Sequence, residues 1–216
     1  MQQLRLFESG RSKYLDVDAI QRRIHADVAG GTHPNTVIYS EFDPVYTAGS
    51  RTADADIPNE DVPIVRIDRG GSVTYHGPGQ LVAYPIVLIH GRQDVVAYVR
   101  ALEAAVMGAV AELGVQSQRV DGRTGVWLVR DGVPDRKLGA IGVRFSKHAT
   151  MHGLALNVHP KLHDFDRIVP CGIRDAGVTS LAELGVDASL AEIADVLHPH
   201  LDRQLVRFQA PVEVTA

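Results

Sequence analysis

The chain of 216 residues contains one cysteine, Cys171, so no intramolecular disulfide can form and a reducing compartment is the simpler reading. It has no basic excess: 22 Lys and Arg stand against 26 Asp and Glu, a formal net charge of −4. That sign and size argue against a protein that holds nucleic acid by neutralising phosphates. With 22% charged and 45% hydrophobic residues, it is not a disordered acidic chain either. No apolar stretch approaches the ~20 residues of a spanning helix, so no membrane insertion is expected. The opening MQQLRLFESGRSKY lacks the apolar core of a secretory signal. Internal repeats, low-complexity segments and Pro/Ser-rich linkers are missing as well. These absences leave a soluble, cytoplasmic protein with a single catalytic-sized domain over residues 1–216 as the expectation.

What is present alternates between strand and helix signals. Leu4 and Leu6 alternate with polar residues. Val17, Ile20, Ile24 and Val28 form one helical stripe closed by Gly30-Gly31. TVIYS at 36–40 is β-branched and aromatic, as in a buried strand. The polar, turn-rich segment from Asp43 to Pro63 reads as a loop. IVRID, SVTYH and QLVAYPIVLI then follow as strands joined by reversals at Gly70-Gly71 and Gly77-Pro78-Gly79. Val95, Val96, Val99, Leu102, Val106, Val110 and Leu113 recur at helical spacing up to Gly114. Strands are expected at VWLV, LGAIGVRF and GLALNV, with Asp131-Gly132 as a hairpin turn. Two Ser-x-x-Glu boxes, Ser180/Glu183 and Ser189/Glu192, mark helix starts, and Pro199 should kink or end the last helix. This order implies an α+β fold, a mixed β-sheet flanked by helices, rather than a strict βαβ repeat.

Three groups of residues could carry chemistry. The run from Arg69 to Gln80 (RGGSVTYHGPGQ) holds four glycines that admit close backbone approach, with Arg69, Thr74, His76 and Gln80 as polar groups around them. A glycine-rich hairpin with surface polar residues explains the same spacing, and the run is neither a GxxxxGK[ST] loop nor a GxGxxG fingerprint. Cys171 lies between Pro170 and Gly172 in a turn-like setting. A thiol attacks as thiolate, and its reference pKa of about 8.5 must be lowered by a nearby cation. Lys137 could supply that cation, although buried cysteines are commonly small hydrophobes and most lysines are solvated charges. His148, His152, His159 and His163 sit among Gly153, Asn157 and Pro160, where no helix face aligns an HxxxH pair. With no second cysteine and no HExxH, no metal site is expected.

Four blocks together resemble the lipoyl(octanoyl) transferase family of lipoate biosynthesis. They are RGGSVTYHGPGQLVAY (69–84), RKLGAIGVR (136–144), HGLALNV (152–158) and FDRIVPCGI (165–173), in order, with DPVYTAG upstream. The sequence departs from the family near Glu41-Phe-Asp-Pro44, where His-Pro-Pro is common, and at His198-Pro-His200. The resemblance implies the fold of the biotin/lipoate protein ligase catalytic domains. It also implies transfer of octanoyl from octanoyl-acyl carrier protein to a lysine of lipoyl domains, those of 2-oxoacid dehydrogenases and the glycine cleavage H protein. Because the acyl group arrives as a thioester, no cofactor is implied. Position by position, Cys171 corresponds to the acyl-accepting nucleophile and Lys137 to its partner. Arg69, Gly70, Gly71, Ser72, Val73, Thr74, Tyr75 and His76 correspond to one wall of the acyl site. Ala140, Ile141 and Gly142 with Gly153, Leu154 and Ala155 correspond to the others, with Ile141 and Leu154 expected to shape an apolar slot. A basic patch for the acidic carrier is expected around Arg144 and Lys147.

Two other readings compete. An ATP-dependent lipoate or biotin protein ligase on the same fold would activate a free acid as an adenylate and need no cysteine. The sequence has PCGI and no GRGRxGR-like element. A non-catalytic lipoyl-domain-binding protein would not need both Lys137 and Cys171.

Overall fold

The computed structural model describes residues 1–57, 62–165, 168 and 176–209. The larger sheet contains β1 (Gln2–Arg5), β2 (Thr36–Ser40), β6 (Gln80–Ile86), β7 (Gln118–Val120), β8 (Arg123–Leu128), β9 (Arg136–Ser146) and β10 (Ala149–Asn157). Its order is β1-β2-β6-β10-β9-β8-β7, and β11 (Gly177–Val178) pairs in parallel with Arg136 and Lys137 of β9. The β1–β2 pair is parallel and the other neighbours along the path are antiparallel, so the sheet is mixed, as the element order implies. A second sheet, β4 (Ile64–Arg66), β3 (Val45–Ala48) and β5 (Val73–His76), stands apart in the order β4-β3-β5.

Strand alternation sends side chains to two different layers. Val37, Tyr39, Leu81, Leu154 and Leu156 join the core beneath α2 (Val95–Glu112) and α3 (Leu190–Leu205). Ile38, Val82, Tyr84 and Ala155 join Val17, Ile24 and Val28 of α1 (Tyr14–Ala29) on the opposite face. Asp94 caps α2 by accepting from the Ala97 N–H, and Ser189 with Glu192 forms the expected reciprocal capping box of α3.

Four expectations change. The 43–63 segment is not simply a loop: Val45–Ala48 is a buried strand whose polar surroundings hide it. Residues 58–61 of that segment lie outside the described residues. SVTYH and QLVAYPI do not pair with each other, because the Gly77-Pro78-Gly79 turn carries the chain from the small sheet into the large one. Gly79 has φ +83, and a Cβ there would stand 2.5 Å from the His159 carbonyl oxygen. Ser180/Glu183 starts only a short 3-10 turn, Ala182–Leu184, and the Glu183 carboxylate turns to Thr179 and Arg136. Finally, α3 runs through Pro199 to Leu205. An internal proline costs about 3 kcal/mol, but Leu197, Leu201 and Leu205 are fully buried. His198 Nδ1 meets the Tyr39 hydroxyl at 3.0 Å and His200 Nε2 meets Glu112 at 2.8 Å. Tertiary anchoring on both sides of the proline holds the helix together.

Candidate active site

The α1-side face of β9 and β10 is built from very small residues. Register places Ala140 opposite Ala155 and Gly142 opposite Gly153. They border a cavity of about 420 Å³ including its open mouth, while close packing takes the places of the missing Cβ atoms: Arg69 and the Gly70 carbonyl approach Gly142, and the Ala83 carbonyl and Pro85 approach Gly153. Arg69, Gly71, Thr74 and His76 close it from the small sheet and its preceding loop, and Tyr84 and His152 complete the lining. Ile141 and Leu154 also border the cavity, with their side chains packed into the α2-side core.

The 69–76 segment divides by strand parity. Thr74 and His76 of β5 face the cavity, whereas Val73 and Tyr75 point the other way into a small core with Tyr46, Phe165 and Ile168. The Tyr75 hydroxyl donates to Asp164. Gly70 and Ser72 border an adjoining groove that reaches α2 and shares Gly71, Ile141 and Gly142 with the cavity. Sequence reasoning included the whole segment; the period of two in a strand selects half of it.

Arg69 is buried, and its guanidinium donates to the Thr47 carbonyl at 2.8 Å, the Thr47 hydroxyl at 3.1 Å and the Gly70 carbonyl at 3.0 Å. Gly49 makes room for it: a Cβ there would lie 2.6 Å from Arg69 Nη1. DPVYTAG therefore matters to the site through its strand and its glycine. Beside Arg69, Asp68 accepts from Arg22 at 3.2 Å, from Arg144 and from His152 Nε2 at 2.9 Å. Burial works against this carboxylate, but the hydrogen bonds of Arg22 and His152 outweigh it and hold its pKa well below the usual range. Arg144, expected in a basic patch, is thus committed to an ion pair, while Lys147 occupies a hairpin turn with φ 49.

Two histidines line the cavity in opposite fixed states. The Asn157 side-chain N–H donates to the Thr179 carbonyl, so Asn157 Oδ1 must receive the Gln80 N–H at 3.0 Å. Gln80 Oε1 is then the atom 2.6 Å from His76 Nδ1, which must be the donor. Burial pushes the pKa of His76 down to about 4 despite the Gln80 bond, so the ring is neutral near pH 7. Phe42 lies 5.7 Å and Tyr14 6.3 Å from it, centroid to centroid. The unusual Glu41-Phe42 stretch therefore does reach the site: Phe42 packs on His76, and Glu41 accepts from the Gly79 N–H at 2.8 Å. For His152, the backbone N–H donates to Gln21 Oε1 at 2.6 Å, which turns the Gln21 amide N–H toward His152 Nδ1. Its proton is consequently on Nε2, donated to Asp68; burial lowers its pKa against the pull of that carboxylate. His152 also adopts φ +58, a conformation uncommon outside glycine.

Lys137 comes to the cavity side through a β-bulge. Val126 pairs with Gly139, but the next residue, Trp127, pairs with Lys137, leaving Leu138 as the extra residue. Leu138 and Gly139 both turn toward α2, where a Cβ on Gly139 would meet Val106 at 3.7 Å. Parity is thereby reset, and Lys137 shares a face with Ala140 and Gly142. Its side chain is 4% exposed, with Nζ 4.5 Å from the centroid of Trp127. Cys171 lies outside the described residues; the neighbouring β11 pairs with Lys137 itself. Tyr84, His152 and Asp68 are the lining and supporting residues that sequence reasoning did not assign to the acyl wall. Tyr84 and His152 lie in the family-like blocks, which was the available signal.

Among the described residues, no helix is long and apolar enough to cross a membrane. His148, His152 and His163 separate, toward Gln93, Asp68 and Asp164 respectively.

The architecture is that of the lipoate and biotin protein ligase catalytic domains. A bipartite lipoate protein ligase from Thermoplasma acidophilum superposes with TM-score 0.72 at 16% identity, over 95% of this chain and 83% of that one. Lipoate-protein ligase A bound with ATP gives 0.72 at 16% over 95% and 86%, and biotin protein ligase from Aquifex aeolicus 0.57 at 14% over 97% and 70%. Sequence resolves the family more finely. Residues 13–202 match the lipoyl protein ligase A/B catalytic domain. An octanoyltransferase of Clavibacter sepedonicus is 52% identical, covering 89% of this chain and 85% of its own. One from Cutibacterium acnes is 50% identical, covering 95% and 78%. The chain belongs to the lipoyl protein ligase A/B catalytic-domain family, in its octanoyltransferase branch.

Proposed function

We propose that the protein transfers an octanoyl group from octanoyl-acyl carrier protein to a lysine of lipoyl domains through a thioester on Cys171. The observation that carries this reading is the placement of Lys137. It is a buried cation on the same strand face as Ala140 and Gly142, which border the cavity. The cavity that Ala140, Gly142, Gly153 and Ala155 border would receive the acyl chain, whose methylenes gain about 0.8 kcal/mol each on leaving water. Lys137 favours the thiolate of Cys171 by proximity of charge. The thiolate attacks the carrier's thioester carbonyl, the carrier's sulfur departs as a thiol with the proton of the Lys137 ammonium, and the octanoyl group rests on Cys171. The acceptor lysine amine then attacks that thioester and loses a proton to the now neutral Lys137 as the Cys171 sulfur is released as thiolate. Since the donor is already activated, no adenylate is required. The acceptors are lipoyl domains such as those of 2-oxoacid dehydrogenases and the glycine cleavage H protein.

The test mixes the protein with octanoyl-carrier protein and a lipoyl domain in the absence of ATP and magnesium. Octanoylation of the domain is expected. Modification that appears only with ATP and free octanoate would establish a ligase instead, and no modification under either condition would leave a binding protein.

A further inference from the structure

We propose that Trp127 is a positioning residue of the active centre, whose ring face holds the Lys137 side chain in the place from which it acts on Cys171. The inference rests on the reading of Lys137 and Cys171 as the reacting pair. Lys137 is 4% exposed, and a buried cation influences a thiol only from the position in which its neighbours hold it. The negative face of an indole attracts an ammonium within about 6 Å of its centroid, more strongly when water is excluded, and Nζ stands at 4.5 Å.

The local backbone is arranged to create this contact. The bulge at Leu138 brings Lys137 directly opposite Trp127. Gly125, two residues before Trp127, has φ +123 and carries no Cβ; one placed there would lie 3.4 Å from Lys137 Cε and 2.6 Å from the Gly139 carbonyl oxygen. The lysine stem therefore passes over a glycine to reach the ring. Gly125 is itself held from the α2 side, where its N–H donates to the fully buried Glu103 at 3.1 Å.

Among the described residues, the carboxylates near this pair also meet arginines. Glu103 accepts from Arg100 at 2.7 Å and Arg119 at 2.8 Å, Asp135 meets Arg123 at 3.4 Å, and Glu183 meets Arg136 at 3.1 Å. Arg123 approaches the same indole at 5.9 Å, farther than Lys137. The Trp127 Nε1 is buried without a hydrogen-bond partner among the described residues, so the ring contributes through packing and its face rather than through its N–H.

Trp127 is the only tryptophan and Cys171 the only thiol in the sequence, which permits a test that leaves the shape of the site intact. The protein is produced with 5-fluoro-, difluoro- and trifluorotryptophan, which progressively drain the ring face of negative charge. The pH profile of iodoacetamide alkylation of Cys171 is then measured in each, in Lys137→Met, and in Lys137→Met carrying trifluorotryptophan. The alkylation midpoint is expected to move upward stepwise, with the rate near neutral pH falling by about 2- to 10-fold at the trifluoro stage. Fluorination should add nothing in Lys137→Met, and melting temperatures should stay together. Superimposable profiles across the fluorinated series, with Lys137→Met shifted, would overturn the role of Trp127 and leave the pair standing. A Lys137→Met profile identical to the parent would overturn the pair and the role of Trp127 with it. A stepwise shift that persists in Lys137→Met would also overturn it, because the ring would then act on the thiol without the lysine.

Discussion

The two faces of the β9–β10 ribbon are made from one continuous stretch of sequence and could hardly differ more. Toward α2 it presents Leu138, Val143, Leu154 and Leu156, part of an apolar core that extends to α3. Toward α1 and the small sheet it presents Lys137, Ala140, Gly142, Gly153 and Ala155, with Arg69, His76 and His152 facing them. One face holds the molecule together by burial. The other leaves a hole in the same sheet and surrounds it with polar groups whose hydrogen bonds are individually fixed. The difference shows how a fold stable on one side of a sheet can tolerate a cavity and a buried cation on the other.

Substitutions should separate the two faces. The largest effect is expected on the α2 side, where Leu156→Ala should cost about 2–5 kcal/mol in urea unfolding. Well below its melting temperature that variant should transfer octanoyl at nearly the parental rate. A variant with full stability and lost transfer would break the division. The next effect belongs to His76. It is neutral in the fold with a pKa of about 4, against an ordinary 6.5, so its contribution is complete above pH 6.5 and is withdrawn as the pH falls toward 4. Parental stability should drop by up to roughly 3 kcal/mol over that window from this group. His76→Phe should flatten the dependence, and equal slopes in the two proteins would contradict the burial argument. A smaller effect is expected at Ala140→Val, which intrudes on the cavity wall. It should lower kcat/KM for an octanoyl donor about tenfold relative to a hexanoyl donor, the worth of one to two methylenes. Unchanged chain-length preference would place the acyl group elsewhere.

Much of this organisation is legible in the residues, and what is not has physical reasons. The helical stripe from Val17 to Val28, the strand at 36–40 and the helix ending before Gly114 all stand where periodicity puts them. The segment RGGSVTYHGPGQ does stand at a cavity, but that β5 pairs with β3 rather than β6 depends on a strand hidden among polar residues. The face of Lys137 is the sharpest example. Alternation along RKLGAIGV would group Lys137 with Gly139, Ile141 and Val143 on the α2 side, and only the bulge at Leu138 reverses this. A bulge is a relation between two strands and leaves no mark in one of them. The positive φ of His152 is similar, since nothing in a histidine announces it. Conversely, the tautomers of His76 and His152 follow rigorously once two backbone groups, the Thr179 carbonyl and the His152 N–H, are placed.

The octanoyl group is expected to rest covalently on Cys171, the single thiol of this chain. Intact-mass measurement after mixing with octanoyl-carrier protein alone, without acceptor, tests it most directly. One octanoyl adduct is predicted, mapped to Cys171, discharged when a lipoyl domain is added, and absent in Cys171→Ala. A protein that octanoylates the lipoyl domain without ever carrying the adduct, or whose Cys171→Ala variant transfers at the parental rate, would contradict the account.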